Sequence, residues 1–473
     1  MPSPPDFGLE SLRQRRIPRD GPRLYAKTRH VWIYPTADAT QQWIGFLWTG
    51  GSVRLKSEKP VMGVGCAQFY AILPRGYVCG DGQRITLDPD DPVLVALYPF
   101  SPITDSPWPH RYGESRGTPR YVSLPPEPVQ RAQEPGLSAH LARVQRARDE
   151  HVIPTELVGV DLAPSPEADL TLPSLLPSVH EPYSSLRNRS TIAYSAEVRH
   201  QGRDFLLTSD YEWVPKDRIS VYPVTRFHGV HLDGQTRLPI ALFRTSTAER
   251  YRRSASGDFE PTEERFPLHG WVSLTDQSEH HAGQTYIQTA VGDWLRQDQA
   301  VVPTATLFPS ATDRPDHLEA SDAGNGARHT SIEISVHGGW LIAYEGDRPV
   351  FTTLISPGRG GTPSPGHEPI ETGATPTGRF VITGKFVTAT MAAPNEYLHW
   401  DVPYAQNFSG PYALHTAYWH DNWGHLMSGG CVNLSPIDGY FLFHWTEPEI
   451  PDGWYGVRWL PHLGPATQVV IHR

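Results

Sequence analysis

The chain has 473 residues, with 51 acidic side chains against 41 Lys and Arg, a net charge of −10. That balance excludes a protein built to lie along nucleic-acid phosphates. Gly (41) and Pro (47) make up nearly a fifth of the residues, which excludes a helical bundle, and 11% aromatic content excludes a mostly disordered chain. A mainly β protein of short strands and many turns is expected, in about three domains at roughly 150 residues each.

No run of 18 apolar residues occurs, so no transmembrane helix is expected. Met1–Asp6 lacks the basic and apolar regions of a secretory signal as the sequence stands. Residues 1–20 are polar, basic and Pro-rich and read as a flexible arm. Short apolar runs follow at Val31–Tyr34, Trp43–Leu47, Val53–Leu55, Phe69–Leu73 and Gly76–Val78, which predicts a small β-module over 21–98. Cys66 and Cys79 lie within it. They are close enough to pair in an oxidising compartment, and two buried free thiols are the open alternative.

Residues 99–190 are rich in Pro and Ser and read as a connector. Within it Leu141 and Val144 lie on a predicted helix, Leu137–Glu150, taken as solvated. A second β region is expected over 191–308 and carries a faint repeat. Gly202, Phe205, Leu206, Thr208, Trp213, Val214 and Asp217 align without gaps on Gly283, Tyr286, Ile287, Thr289, Trp294, Leu295 and Asp298, each 81 positions later. Residues 309–330 are polar and read as a linker. The remainder, 331–473, is expected to be a mostly-β domain. Its strands alternate at Ile332–Val336, turn at Gly346–Asp347 between Trp340–Tyr344 and Val350–Ile355, and continue at Arg379–Thr383, Tyr412–His415 and Gln468–Ile471.

The stretch from Tyr412 to Asp438 carries the chemistry. Cys431 follows Gly429-Gly430, where the backbone can approach a substrate and expose N–H groups. Ser435-Pro436-Ile437-Asp438 predicts a helix start: a Ser cap, Pro in the first turn and an early acid. A thiol ahead of a helix N-terminus is expected to favour its thiolate. His415 ends a strand 16 positions before Cys431. A thiol, an imidazole and a preorganised donor pair suit acyl transfer through a thioester. Two other readings remain open at this point. Cys431 is a buried inert residue, or His415, His420, His425 and Cys431 hold a metal. Close pairs such as C-x-x-C or H-E-x-x-H are absent, so no metal is expected. No phosphate-binding or dinucleotide fingerprint occurs, so no cofactor is expected either.

His415, Gly424, Ser428, Gly430, Cys431, Val432 and Asn433, in that order, resemble the hallmark of the L,D-transpeptidase (YkuD-type) catalytic domain of bacterial cell-wall enzymes. Thr375-Pro376-Thr377-Gly378 and the hairpin through Tyr344–Asp347 and Pro349–Val350 resemble the same family. The strand order of 21–98 and the β region 191–308 resemble the small SH3-like barrels that often precede such domains. The resemblance implies a fold that is mainly β: small SH3-like β-barrel modules, then a β-sandwich-like catalytic domain with one short helix after the nucleophile. It implies Cys431 as nucleophile and His415 as proton acceptor and donor. Thr416 would orient the imidazole through its carbonyl, and Gly430 would contribute to the oxyanion hole. Trp419, Ser428 and Asn433 would line the substrate site. The substrates implied are peptidoglycan stem peptides, with acylation by carbapenems expected, in the periplasm or cell envelope. One position departs from the family: its Ser-His-Gly-Cys reads Ser428-Gly429-Gly430-Cys431 here. His420 and His425 are the candidates to supply a ring from another position. That departure keeps a catalytically weakened wall-binding protein in view, and an L,D-carboxypeptidase using water as acceptor shares the same acyl-enzyme.

Overall fold

A computed structural model describes residues 5–168, 170, 172–173, 185–305, 329–392 and 398–473. Almost all of the expected linker 309–330 lies outside the described residues. The chain forms two compact units. One comprises Met1–Val224 with Phe386–Pro403 and Ile450–Arg458; the other comprises Thr225–Lys385 with Tyr404–Glu449 and Trp459–Arg473. The fold is mainly β, and no described helix is long and apolar enough to cross a membrane.

In the first unit the sheets are open and do not close into the small barrels of the expected SH3-like modules. Among the described residues the strand Arg23–Ala26 pairs with Ser52–Arg54 and Ile85–Thr86, while Val31–Tyr34 pairs with Gly45–Leu47 and Tyr77–Cys79 in another sheet. Cys66 and Cys79 are joined in a disulfide, with Cα atoms 5.9 Å apart. The expected arm carries a helix, Leu9–Gln14, whose Leu9 and Leu12 join Phe7, Leu97, Phe100 and Phe205 in one apolar cluster. Arg15 fastens its end by donating to Ser101 O (2.6 Å) and Pro99 O (3.1 Å). Three apolar side chains among basic ones are enough to dock a short segment.

The predicted helix Leu137–Glu150 is present, but it is not a solvated connector. Val144 and Ala147 pack on Leu157 and Val160, and His140 Nε2 lies 3.1 Å from Asp217. Asp217 in turn accepts from Arg203, which also reaches Glu134. Buried charges of this kind persist only when paired.

The faint repeat is real in three dimensions. The strands Arg203–Thr208 and Trp213–Pro215 and the turn Lys216–Arg218 recur at Gln284–Thr289, Trp294–Arg296 and Gln297–Gln299. Every boundary is displaced by 81 residues. The first copy belongs to one compact unit and the second to the other, so the stretch 191–308 is shared between them.

The residues from Tyr412 to Asp438 lie in the second unit. Strands β1 (Val230–His231), β2 (Thr330–Ser335), β3 (Trp340–Glu345), β4 (Arg348–Leu354), β5 (Gly378–Val381) and β9 (Gln468–His472) form a sheet in the order β1-β4-β3-β2-β9-β5. A second layer holds the end of β6 (Leu398–Ser409), β7 (Tyr412–Thr416) and β8 (Val432–Leu434), followed by helix α1 (Pro436–Trp445). Ile332, Ile334, Leu341, Leu414, Val432 and Leu434 meet between the layers, giving a β-sandwich-like core. β1 comes from about a hundred residues upstream. It is held by pairing with β4 and by Asp438 of α1, which accepts from Gly229 N (2.8 Å) and Thr353 Oγ1 (2.6 Å).

Candidate active site

β7 and β8 run parallel, with Leu414 opposite Val432, His415 opposite Asn433 and Thr416 opposite Leu434. Side chains alternate across a strand, so Leu414 and Val432 face the core while His415 and Asn433 share the other face. Cys431 stands just before β8, two residues ahead of Asn433. Register thus sets the imidazole and the amide on one sheet face, with the thiol at the entrance to β8.

Thr416 O lies 3.0 Å from His415 Nδ1. A carbonyl only accepts, so Nδ1 carries the proton and Nε2 keeps its lone pair. His415 is 3% exposed, and burial pushes its pKa down to about 4, so the ring is neutral at physiological pH. Trp419 lies beside it, with ring centroids 5.8 Å apart.

Cys431 is the free cysteine of the chain. Burial pushes its thiol up, and an Ala413 backbone N–H only partly counters that. This overturns the expected thiolate. The helix start at Ser435–Pro436 is real, with Ser435 Oγ accepting from Asp438 N at 3.1 Å. It sits at the far end of β8, however. At about 3.3 Å per residue it is roughly 13 Å from the thiol, beyond the reach of a dipole that fades within one turn. Among the described residues, the hydrogen bond given by Cys431 Sγ goes to Pro411 O at 3.9 Å, and not to His415.

The loop before the thiol is internally fastened. Ser428 Oγ donates to Cys431 O (2.5 Å) and accepts from Gly430 N (3.0 Å). In this arrangement the Ser428 hydroxyl closes the loop and does not line a cleft. The Gly430 N–H is likewise spoken for and does not await an oxyanion. What Gly430 supplies is room. Its φ is +128°, and a Cβ there would stand 2.6 Å from Tyr412 Cε1 and 2.8 Å from Ala374 O. Gly429 has open space around it.

One group at the site was not assigned from sequence. Tyr412 packs against Gly430, and its phenol is held protonated by burial and then by the negative charge Cys431 would carry. Its position at the start of the His415 strand was the one signal that pointed to it. His420 turns inward, its Nε2 3.1 Å from the Asn433 amide, whereas exposed His425 reaches Arg244 O at 3.4 Å. Of the two candidate rings, only His420 is at the site. No group of three or more His, Cys, Asp or Glu suited to a metal occurs among the described residues.

A family model described as the L,D-transpeptidase catalytic domain (YkuD) matches residues 330–471. An L,D-transpeptidase from Xylanimonas cellulosilytica is 20% identical, over 32% of this chain and 63% of that one, with a TM-score of 0.22. A point mutant of the Enterococcus faecium L,D-transpeptidase is 21% identical, over 30% and 50%, with a TM-score of 0.23. The catalytic domain of the E. faecium enzyme acylated by ertapenem is 18% identical, over 31% and 100%, with a TM-score of 0.23. The chain spans less than two thirds of the length of the first two. TM-scores of this size add no argument to the family match. No curated protein matches the chain.

Proposed function

We propose, from the premise that residues 330–471 are an L,D-transpeptidase catalytic domain of the YkuD family, that this protein cross-links peptidoglycan stem peptides through a Cys431 thioester. The observation that carries this reading is the β7–β8 register. It sets a neutral imidazole with a lone-pair Nε2 opposite Asn433, two residues from the chain's free thiol.

In this reading the thiol and the imidazole are both neutral at rest. Cys431 Sγ attacks the carbonyl between the L-centre of the diamino acid and the terminal D-Ala, and its proton passes to His415 Nε2. The tetrahedral oxyanion receives a hydrogen bond from the Tyr412 hydroxyl, since the Gly430 N–H is turned to Ser428. His415 returns the proton to the leaving amine, the C–N bond breaks, and D-Ala departs. An amine of a second stem peptide then attacks the thioester, gives its proton through His415 to sulfur, and releases the cross-linked product. Thr416 O holds the imidazole tautomer throughout. Trp419 and Asn433 flank the bound peptide. This reading puts its site of action in the cell envelope, where stem peptides are found, and water in place of the second amine would make it a carboxypeptidase.

The raised thiol and Gly429 favour a second reading, a wall-binding protein with a weakened site. Turnover of a donor tetrapeptide separates the two. Release of D-Ala by the wild type, lost in Cys431→Ser, supports the enzyme. Binding without release in both proteins supports the binder.

A further inference from the structure

The loop between β7 and β8 carries Trp419 beside His415 and His420 against Asn433, and it is braced from upstream. Asp421 is the centre of that brace. One of its oxygens, Oδ1, accepts from Trp423 Nε1 and from Thr225 Oγ1, both at 2.6 Å. The other, Oδ2, lies 3.8 Å from His269 Nδ1. Trp423 is fully buried, and an indole N–H in such a place has to meet an acceptor. Its ring stacks on Phe227, with 5.9 Å between centroids, and Phe227 lies 4.8 Å from His269. Arg244 Nη1 donates to Gly424 O at 3.2 Å, and Ser356 Oγ donates to Asn422 O at 2.7 Å. Thr225, Phe227, Arg244 and His269 all precede residue 330, so this brace comes from outside the stretch that matches the transpeptidase family. Each lies in the same compact unit as the loop.

We propose that Asp421 is a positioning residue: by joining Trp423 to Thr225 it fixes the β7–β8 loop and so holds Trp419 and His420 in place for acylation of Cys431. Hydrogen bonds accepted by a carboxylate are among the stronger ones, and two on a single oxygen draw together side chains nearly two hundred positions apart. Without the carboxylate the Trp423 N–H is left unmet in a buried place, a cost that the loop relieves by moving. Trp419 and His420 move with it. The loop starts after Thr416, whose carbonyl sets the His415 tautomer, so the disturbance reaches the base. The upstream β region is thereby a working part of the site and not a detached module. The proposal rests on the transpeptidase reading for its readout of acylation, but the tether itself is testable without turnover.

Proton–nitrogen spectra of the 15N-labelled chain report the Trp423 indole, identified by its loss in Trp423→Phe. Its N–H signal is expected to shift and to exchange faster with solvent in Asp421→Ala, and to stay close to wild type in Asp421→Asn, which keeps an acceptor oxygen. An indole signal unmoved in Asp421→Ala overturns the proposal. The second arm follows Cys431 acylation by a carbapenem. Asp421→Ala is expected to slow it by about tenfold or more, Thr225→Val by about fivefold, and Asp421→Asn by no more than about twofold. Because Thr225 acts through Asp421, the double variant Thr225→Val with Asp421→Ala is expected to be no slower than Asp421→Ala alone. Equal slowing in Asp421→Asn and Asp421→Ala, or effects that multiply in the double variant, contradicts the proposal. Should Asp421→Ala fail to fold, Thr225→Val decides, and wild-type acylation in it contradicts the proposal. A wild-type protein that is never acylated defeats the transpeptidase reading instead, and the indole signal still decides the tether.

Discussion

The proposed nucleophile and base both shift toward neutrality. Burial lowers His415 to about 4 and raises Cys431 above its ordinary value. Alkylation of Cys431 by iodoacetamide is therefore expected to rise with pH and reach half-maximum above about 8.5, the usual value for a free cysteine. A plateau already reached near neutrality would show a preformed thiolate and contradict the neutral pair. The residue-level pattern was legible because its parts lie within one short stretch. The thiol's charge state was not, because the helix start lies close to it in sequence and at the other end of a strand in space. Gly429 and Gly430 separate cleanly. Gly429 has room for a side chain, so Gly429→His is expected to change carbapenem acylation by no more than about tenfold, roughly 1.4 kcal/mol of barrier. Gly430→Ala meets Ala374 O and the Tyr412 ring, and acylation is expected to fall by at least a hundredfold. Equal tolerance at both positions would contradict that division.

Helix α1 links two strands through one acid. Asp438 is buried, and its pKa rises from 3.8 to about 6 because burial outweighs the hydrogen bonds from Thr353 and Gly229. The unfolded chain ionises at the lower value. The stability conferred by the protonated acid is therefore complete below about pH 4 and lost as pH rises through about 6. Asp438→Asn lacks this dependence. Denaturant titrations are expected to show the variant gaining on the wild type by up to about 3 kcal/mol between pH 4 and 7, with no further change above. A difference constant across that range would show that the acid stays ionised. The Ser-Pro-x-Asp signal revealed the helix, but β1 was invisible in the sequence. Two residues carry no periodicity, and the partner that recruits Val230 lies more than a hundred positions away.

At the scale of the molecule, each compact unit is assembled from three separate chain segments. Composition and motif order gave the β class and located the C-terminal domain. Pairing between distant strands leaves no local pattern, which is why the returning segments 386–403 and 450–458 could not be read beforehand. The repeat was visible because its Trp and Gly positions mark turns and a buried ring in both copies, even where the first copy is buried and the second partly exposed. The Cys66–Cys79 disulfide spans 13 positions in the first unit, far in sequence from Cys431. Replacing both cysteines with Ser is expected to lower the unfolding free energy by about 3 kcal/mol and leave Cys431 acylation unchanged. Loss of acylation in a folded double variant would contradict a purely structural bond.

The most direct test of the central claim, that Cys431 is an acyl-accepting nucleophile served by His415, is intact-mass analysis after exposure to a carbapenem. One covalent adduct per chain is expected in the wild type, mapped by peptide digestion to Cys431, slowed in His415→Ala and absent in Cys431→Ser. An adduct that persists in Cys431→Ser, or a wild type that stays unmodified while folded, would contradict it.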